Sequence, residues 1–268
     1  MKRLLSALAA LLLFALAAPA ADGKKVTIRW HGQSFFEIIS SAGTRIVIDP
    51  HLIEAYGRKV VSADLVLLSH FHNDHTRTEV VENLPKAKVI TGLKKLDKDG
   101  KRQDWNVVNE KFKDVRVQTL GTYHDAMSGT ERGKNGVSII EVDGLRIVHL
   151  GDLGHTLNRS QLRKIGEVDV LLIPVGGVYT INGLDAQKVV EQIKPKRYII
   201  PMHYGTKVYD FLLDLDKSHF LDDQTMGTVE KFPKTNELVI DASAPPPKEP
   251  IIAILHWEKV GKEAGKER

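Results

Sequence analysis

Cysteine is absent from the 268 residues. No disulfide can form, and no lipid can be attached to a Cys behind a leader. A chain this long buries enough surface to do without cross-links. Charge of one sign is also scarce. Lys and Arg number 38 against 34 Asp and Glu, a formal +4. That is little for a nucleic-acid binder, which carries a clustered basic face. The basic run Lys94, Lys95, Lys98, Lys101, Arg102 is broken by Asp97, Asp99 and Asp104, as in a solvated loop. Beyond the N-terminus there is no long apolar run. With 42% apolar and 27% charged residues, the composition is that of an ordinary globular protein and neither collagen-like nor coiled-coil. The length suits one large domain or two small ones.

The N-terminus has its own pattern. Lys2 and Arg3 precede the apolar stretch Leu4 to Ala17, and Ala18-Pro19-Ala20 follows as a small-x-small site. This is the layout of a secretory signal peptide over residues 1–20. The stretch is shorter than the ~20 residues of a membrane span. Removing Lys2 and Arg3 leaves 36 − 34 = +2. The expectation is an exported protein, periplasmic or secreted, with a hydrolase domain over 21–260, a polar tail over 261–268 and no stable membrane span.

The chain then alternates between strand and helix patterns. Strands are expected at Val26–Trp30, Phe35–Ile39, Arg45–Asp49, Leu65–Ser69, Lys88–Thr91 and Val115–Leu120. Asp143-Gly144 signals a hairpin between Gly136–Val142 and Leu145–Leu150. Further strands follow at Val168–Pro174, Arg197–Pro201, Thr228–Phe232, Leu238–Ile240 and Ile251–Trp257. Helices are expected at Thr76–Asn83, Leu184–Ile193 and Val208–Leu215. The polar stretch Gly92–Asp114 reads as an irregular insertion or a loop with one helix.

The chemistry gathers at Ser69-His70-Phe71-His72-Asn73-Asp74-His75. Four metal-capable side chains follow a buried strand. In extended chain, residues two apart face the same side, so His70 and His72 can grip one ion. Asp74 and His75 come where the chain turns, placed for a second ion. A shuffled chain would contain this pattern with odds of roughly one in a thousand. Two close ions need more ligands. His124, Asp152 and His203 each sit just past an expected strand, where α/β architectures assemble sites. Imidazole and carboxylate suit Zn²⁺, Mn²⁺ or Fe²⁺.

This ordered set, His70-x-His72-x-Asp74-His75, His124, Gly151-Asp152 and His203, resembles that of the metallo-β-lactamase-fold hydrolases. The likeness spans about Val26 to Ile240. It is closest to the branch containing ascorbate-6-phosphate lactonase and uncharacterised metal-dependent hydrolases. Trp30-His31-Gly32-Gln33-Ser34-Phe35, Ile48-Asp49-Pro50, Ile173 to Thr180 and Ile200 to Thr206 carry that closer likeness.

The resemblance implies an α/β fold, a four-layer αββα sandwich with two mixed sheets. It implies two divalent ions, zinc foremost, with manganese or iron as alternatives. His70, His72 and His124 would hold the first ion, and Asp74, His75 and His203 the second, with Asp152 between them. The lack of Cys departs from the β-lactamases that use a Cys ligand. A metal-bound hydroxide would attack a small ester, lactone or phosphoester, and Asp74 would double as the catalytic proton acceptor. The alternatives are a phosphodiesterase acting on a phospholipid or nucleotide, and a non-catalytic metal-binding protein.

Several residues have two readings. His31, His155, Tyr179, Thr180 and Tyr204 are candidates for substrate contact, or else pack their loops. His51 lies near the site or is structural. His149 reads as a packed strand residue, and His219 and His256 as surface or structural. Asp49 would orient a ligand from behind.

Overall fold

The computed structural model describes residues 23–99 and 103–258. The expected signal peptide and polar tail lie outside them. Fourteen strands are present among the described residues: β1 Lys25–Trp30, β2 Phe36–Ile39, β3 Arg45–Ile48, β4 Leu65–Leu68, β5 Lys88–Thr91, β6 Asn109–Phe112, β7 Val115–Tyr123, β8 Lys134–Val142, β9 Leu145–His149, β10 Val170–Pro174, β11 Tyr198–Met202, β12 Thr228–Phe232, β13 Glu237–Asp241 and β14 Ile251–Leu255. The two α-helices are α1, Arg159–Ile165, and α2, Gly183–Ile193.

One sheet runs β13-β1-β2-β3-β4-β5 and the other β12-β14-β11-β10-β9-β8-β7-β6. Both are mixed. In the first, β3, β4 and β5 are parallel and the remaining pairs antiparallel. In the second, the run β9-β10-β11-β14-β12 pairs in parallel, while β6 to β9 form an antiparallel meander.

Alternation along each strand sets the packing. Ile28, Ile38, Ile46 and Leu65 of the first sheet share one core with Val117, Ile140, Ile147 and Leu172 of the second. α1 and α2 add Ile165, Val189 and Ile193 to that core. On the other face of the first sheet, Val47, Val66 and Leu68 pack beneath Val61, Ala63, Val80 and Val81. β4 is therefore buried on both faces, which is why its sequence is an unbroken apolar run. The architecture is the αββα sandwich.

The outer layer over the first sheet departs from expectation. Thr76–Asn83 forms no α-helix; it holds a 3-10 turn at Thr78–Val80, with another at Leu84–Lys86. Its backbone is engaged elsewhere. Val61 N–H donates to Val80 O, Glu82 N–H donates to Val61 O, and the Asn83 amide pairs with both backbone groups of Ala63.

Val208–Leu215 is also not helical. Gly205 N–H donates to Leu213 O, and Thr206 and Tyr209 exchange backbone bonds, so the segment closes into a tight loop. The described part of Gly92–Asp114 carries no helix, only β6 and a bridge between Leu93 and Trp105. α1 was not anticipated. Its signal was present in the sequence, because Asn158 and Gln161 form a capping box. The β8–β9 turn takes the left-handed backbone expected of Asp-Gly, with φ 53° at Asp143 and 90° at Gly144.

Candidate metal centre

Strand ends from both sheets deliver the chemistry. β4 runs into Ser69-His70, β7 into His124, β9 into Gly151-Asp152 and β11 into His203. The seven residues expected to hold metal converge at this edge. Their ligand atoms fall into three groups, His70 with His72 and His124, His70 with His75 and Asp152, and Asp74 with His75 and His203. Within each group the atoms lie no more than 4.8 Å apart. Asp152 is central: its Oδ2 is 3.1 Å from His124 Nε2, 3.1 Å from His203 Nε2, 3.2 Å from His75 Nε2 and 3.9 Å from His70 Nε2.

The donor set passes a physical test for a cation. His75 Nε2 is buried and makes no well-aligned hydrogen bond, even with Asp152 Oδ2 at 3.2 Å, although buried polar atoms are rarely left unpaired. The donors are imidazole nitrogens and carboxylate oxygens, which suit a borderline divalent ion.

Electrostatics agree. Burial disfavours charge on every member. His70 and His72 follow it, and burial together with neighbouring imidazoles pushes both below the usual histidine range. At His75 the carboxylates of Asp152 and Asp49 outweigh burial, and its affinity for a proton rises. Against its own burial, Asp152 is held well below the usual carboxylate range by His203, His75 and His124. Asp74 is held low against burial by the nearby His75. Two carboxylates kept anionic beside clustered imidazoles make a well for positive charge.

Buried groups behind the ligands fix them in place. Asp49, fully buried, accepts from His75 Nδ1 at 2.9 Å, from Ser69 N–H at 2.7 Å and from Ser69 Oγ at 2.6 Å. Ser69 Oγ in turn lies 2.8 Å from His70 Nδ1. Asn135 Oδ1 accepts the Asp152 N–H, and its amide donates to Leu150 O. His149 is packed in its strand as expected, and its ring also spans from Ser34 O to Gly151 N–H. The Gln33 side-chain amide donates to Asp74 Oδ2 at 2.9 Å, and the Gln33 backbone carbonyl accepts from His203 N–H.

Two glycines make this geometry possible. Gly151 has φ 56°, and a Cβ there would stand 2.4 Å from Asn135 Oδ1. A Cβ on Gly176 would stand 2.0 Å from His203 O.

A cavity of about 490 Å³ opens over the cluster. His72, Asp74, His124, Asp152 and His203 line it together with Gln33, Glu131, Arg132, Tyr179, Tyr209, Phe211 and Leu212. Of the substrate candidates, Tyr179 is on this lining. His31 is not; it packs on Phe35 and faces Glu37 and Asn236. His155 accepts from Tyr123 N–H. Thr180 bonds Ile181 O and borders an adjoining pocket. Tyr204 is buried against Trp30. His51 holds Gly32 O and Ile53 N–H behind the site. His219 is exposed beside Asp222, and His256 stacks on Trp257.

Sequence reading did not single out Arg132, Tyr209, Phe211 or Asn135. None lies in a metal-ligand pattern, and Tyr209 and Phe211 fell in the segment expected to be helical.

The comparisons agree with the site. A family model described as the beta-lactamase superfamily domain matches residues 27–203. A UPF0173 metal-dependent hydrolase of Thermococcus onnurineus is 30% identical over 194 residues, covering 68% of this chain and 85% of that protein. One from Thermus thermophilus is 32% identical over 194 residues, covering 68% and 84%. A solved structure from Thermotoga maritima, described as a proposed Zn-dependent hydrolase of the metallo-beta-lactamase superfamily, is 32% identical. It superposes with a TM-score of 0.62 over 85% of this chain and 98% of its own. With the model spanning most of the chain and relatives this similar, the chain belongs to the beta-lactamase superfamily and, within it, to the UPF0173 metal-dependent hydrolase family.

Proposed function

We propose that this protein is an exported di-metal hydrolase acting on a small ester, lactone or phosphoester. The observation that carries the proposal is Asp152, whose single Oδ2 reaches four histidines that follow three different strands, β4, β7 and β11. His70, His72 and His124 would hold one ion, and Asp74, His75 and His203 the other, with Asp152 shared. Zinc fits this nitrogen-rich set best, and manganese or iron would also be accepted. When bound, such ions lower the pKa of a coordinated water and stabilise charge developing on a substrate oxygen.

The chain's own residues do the rest. Asp74 lines the cavity beside the other ligand-type side chains and is the carboxylate placed to accept the proton that the attacking water releases. Gln33 fixes the rotamer of Asp74 through Oδ2. Asp49 and Ser69 aim His75 and His70. Export draws its support from the Lys2-Arg3, Leu4 to Ala17 and Ala18-Pro19-Ala20 layout.

A second enzymatic reading, a phosphodiesterase acting on a phospholipid or nucleotide, draws on the apolar wall of the cavity. The rival from outside enzymology is metal binding without turnover. A hydrolase panel of esters, lactones and phosphodiesters decides among them, run on the metal-loaded mature protein, whose N-terminus is expected near Ala21. Turnover of small esters or lactones supports the proposal, and turnover of long-chain or nucleotide phosphodiesters alone favours the second reading. Two bound ions with no turnover on any arm would leave the metal-binding rival standing.

A further inference from the structure

The cavity has two unlike halves. Its floor is the histidine and carboxylate cluster, and its wall is aromatic. Tyr179 and Phe211 stand nearly parallel there, 16° apart with centroids at 5.7 Å. Phe211 is 62% exposed, unusual for a phenyl ring with core available nearby.

The wall is held from behind. Phe211 touches Tyr209 at 6.2 Å, Tyr209 touches Tyr56 at 5.5 Å, and the buried Tyr56 rests on His51 at 5.3 Å. The backbone bonds between Gly205 and Leu213 and between Thr206 and Tyr209 pin the loop that carries these rings. On the other side, the Arg132 guanidinium lies 5.5 Å from the centre of the Tyr179 ring. Backbone bonds and ring contacts thus tie the wall to the fold, which lowers the ordering cost when a ligand binds.

Resting on the hydrolase reading above, we propose that Tyr179 and Phe211 form a specificity subsite for an apolar group of about one ring's size, attached next to the bond that is broken. The substrate is then an ester or phosphoester with a polar reacting end over the histidine and carboxylate floor and a ring-sized apolar arm against the wall. Stacking and burial of one ring are together worth a tenfold or greater preference.

The test uses binding of product-like acids to the full-length mature protein loaded with Zn²⁺, measured by calorimetry. Phenylacetate is expected to bind at least about tenfold more tightly than acetate. In Phe211→Ala combined with Tyr179→Ala the ratio falls close to one, and Phe211→Leu keeps part of it. Phe211 is exposed, so its loss leaves folding intact, as a thermal melt checks. A wild-type ratio within twofold, no phenylacetate binding, or a ratio unchanged in the double variant each overturns the subsite. Failure of the hydrolase reading looks different, because the preference then persists while the hydrolase panel shows no turnover.

Discussion

Asp49 and His75 form a hydrogen-bonded pair with no solvent access, Oδ2 to Nδ1 at 2.9 Å. Asp49 stands just past β3 with φ 47°, a left-handed backbone that turns its carboxylate beneath the site. Its other bonds go to Ser69, which touches His70. One buried carboxylate thus orients members of all three ligand groups.

Asp49→Asn should therefore weaken metal binding without removing a ligand. Groups that orient metal ligands from behind typically contribute 10–100-fold in affinity, and a loss of about that size is expected. Competition against a chelator of known affinity measures it. An affinity within twofold of wild type would show that Asp49 serves packing alone.

Asp74→Ala and His72→Ala should each abolish hydrolysis while urea unfolding stays cooperative. Both side chains are partly exposed at the cavity and hold no core contact. Turnover that survives both substitutions would refute the assigned proton acceptor and ligand set.

Gly176→Ala probes the close approach behind His203. Its new Cβ would meet His203 O at 2.0 Å, and the neighbour is backbone, so the strand end must shift. Overpacking of this kind costs about 1–3 kcal/mol. Denaturant unfolding and metal stoichiometry should both fall, and an unchanged midpoint would contradict the packing account.

The seven candidate ligands were legible in the sequence because each belongs to a strand-end pattern of metal-capable residues. Most strands were legible too, since period-two burial writes itself into the residues. The segments at Thr76–Asn83 and Val208–Leu215 were not. Their apolar spacing suits a helix, but in one case backbone groups bond to Val61 while the Asn83 side chain holds Ala63, and in the other backbone groups bond to Gly205 and Thr206. Those partners are set by tertiary contact. The roles of His31 and Tyr204 were hidden for the same reason: proximity in sequence to the site does not say which way a side chain turns.

Acid should destabilise the fold through buried histidines. Burial pushes His31 down to about 3 and His51 down to about 4. Both stay neutral in the folded protein while the unfolded chain protonates near the ordinary value of 6.5. Their stabilisation is therefore full above that value and is lost as pH falls below it, until pH reaches the folded values. Each contributes a slope of about 1.4 kcal/mol per pH unit in that window. Urea titrations of chelator-treated protein at pH 7 and pH 5 should show a smaller loss in His51→Gln than in wild type. Equal losses would contradict the assignment.

A two-ion centre shared through Asp152 makes the metal content of the chain depend on that carboxylate. Metal analysis of the purified mature protein, with Asp152→Ala beside it, tests this most directly. Close to two ions per wild-type chain, with loss of bound metal in the variant, is the predicted result. Fewer than one ion per wild-type chain after reconstitution would contradict it.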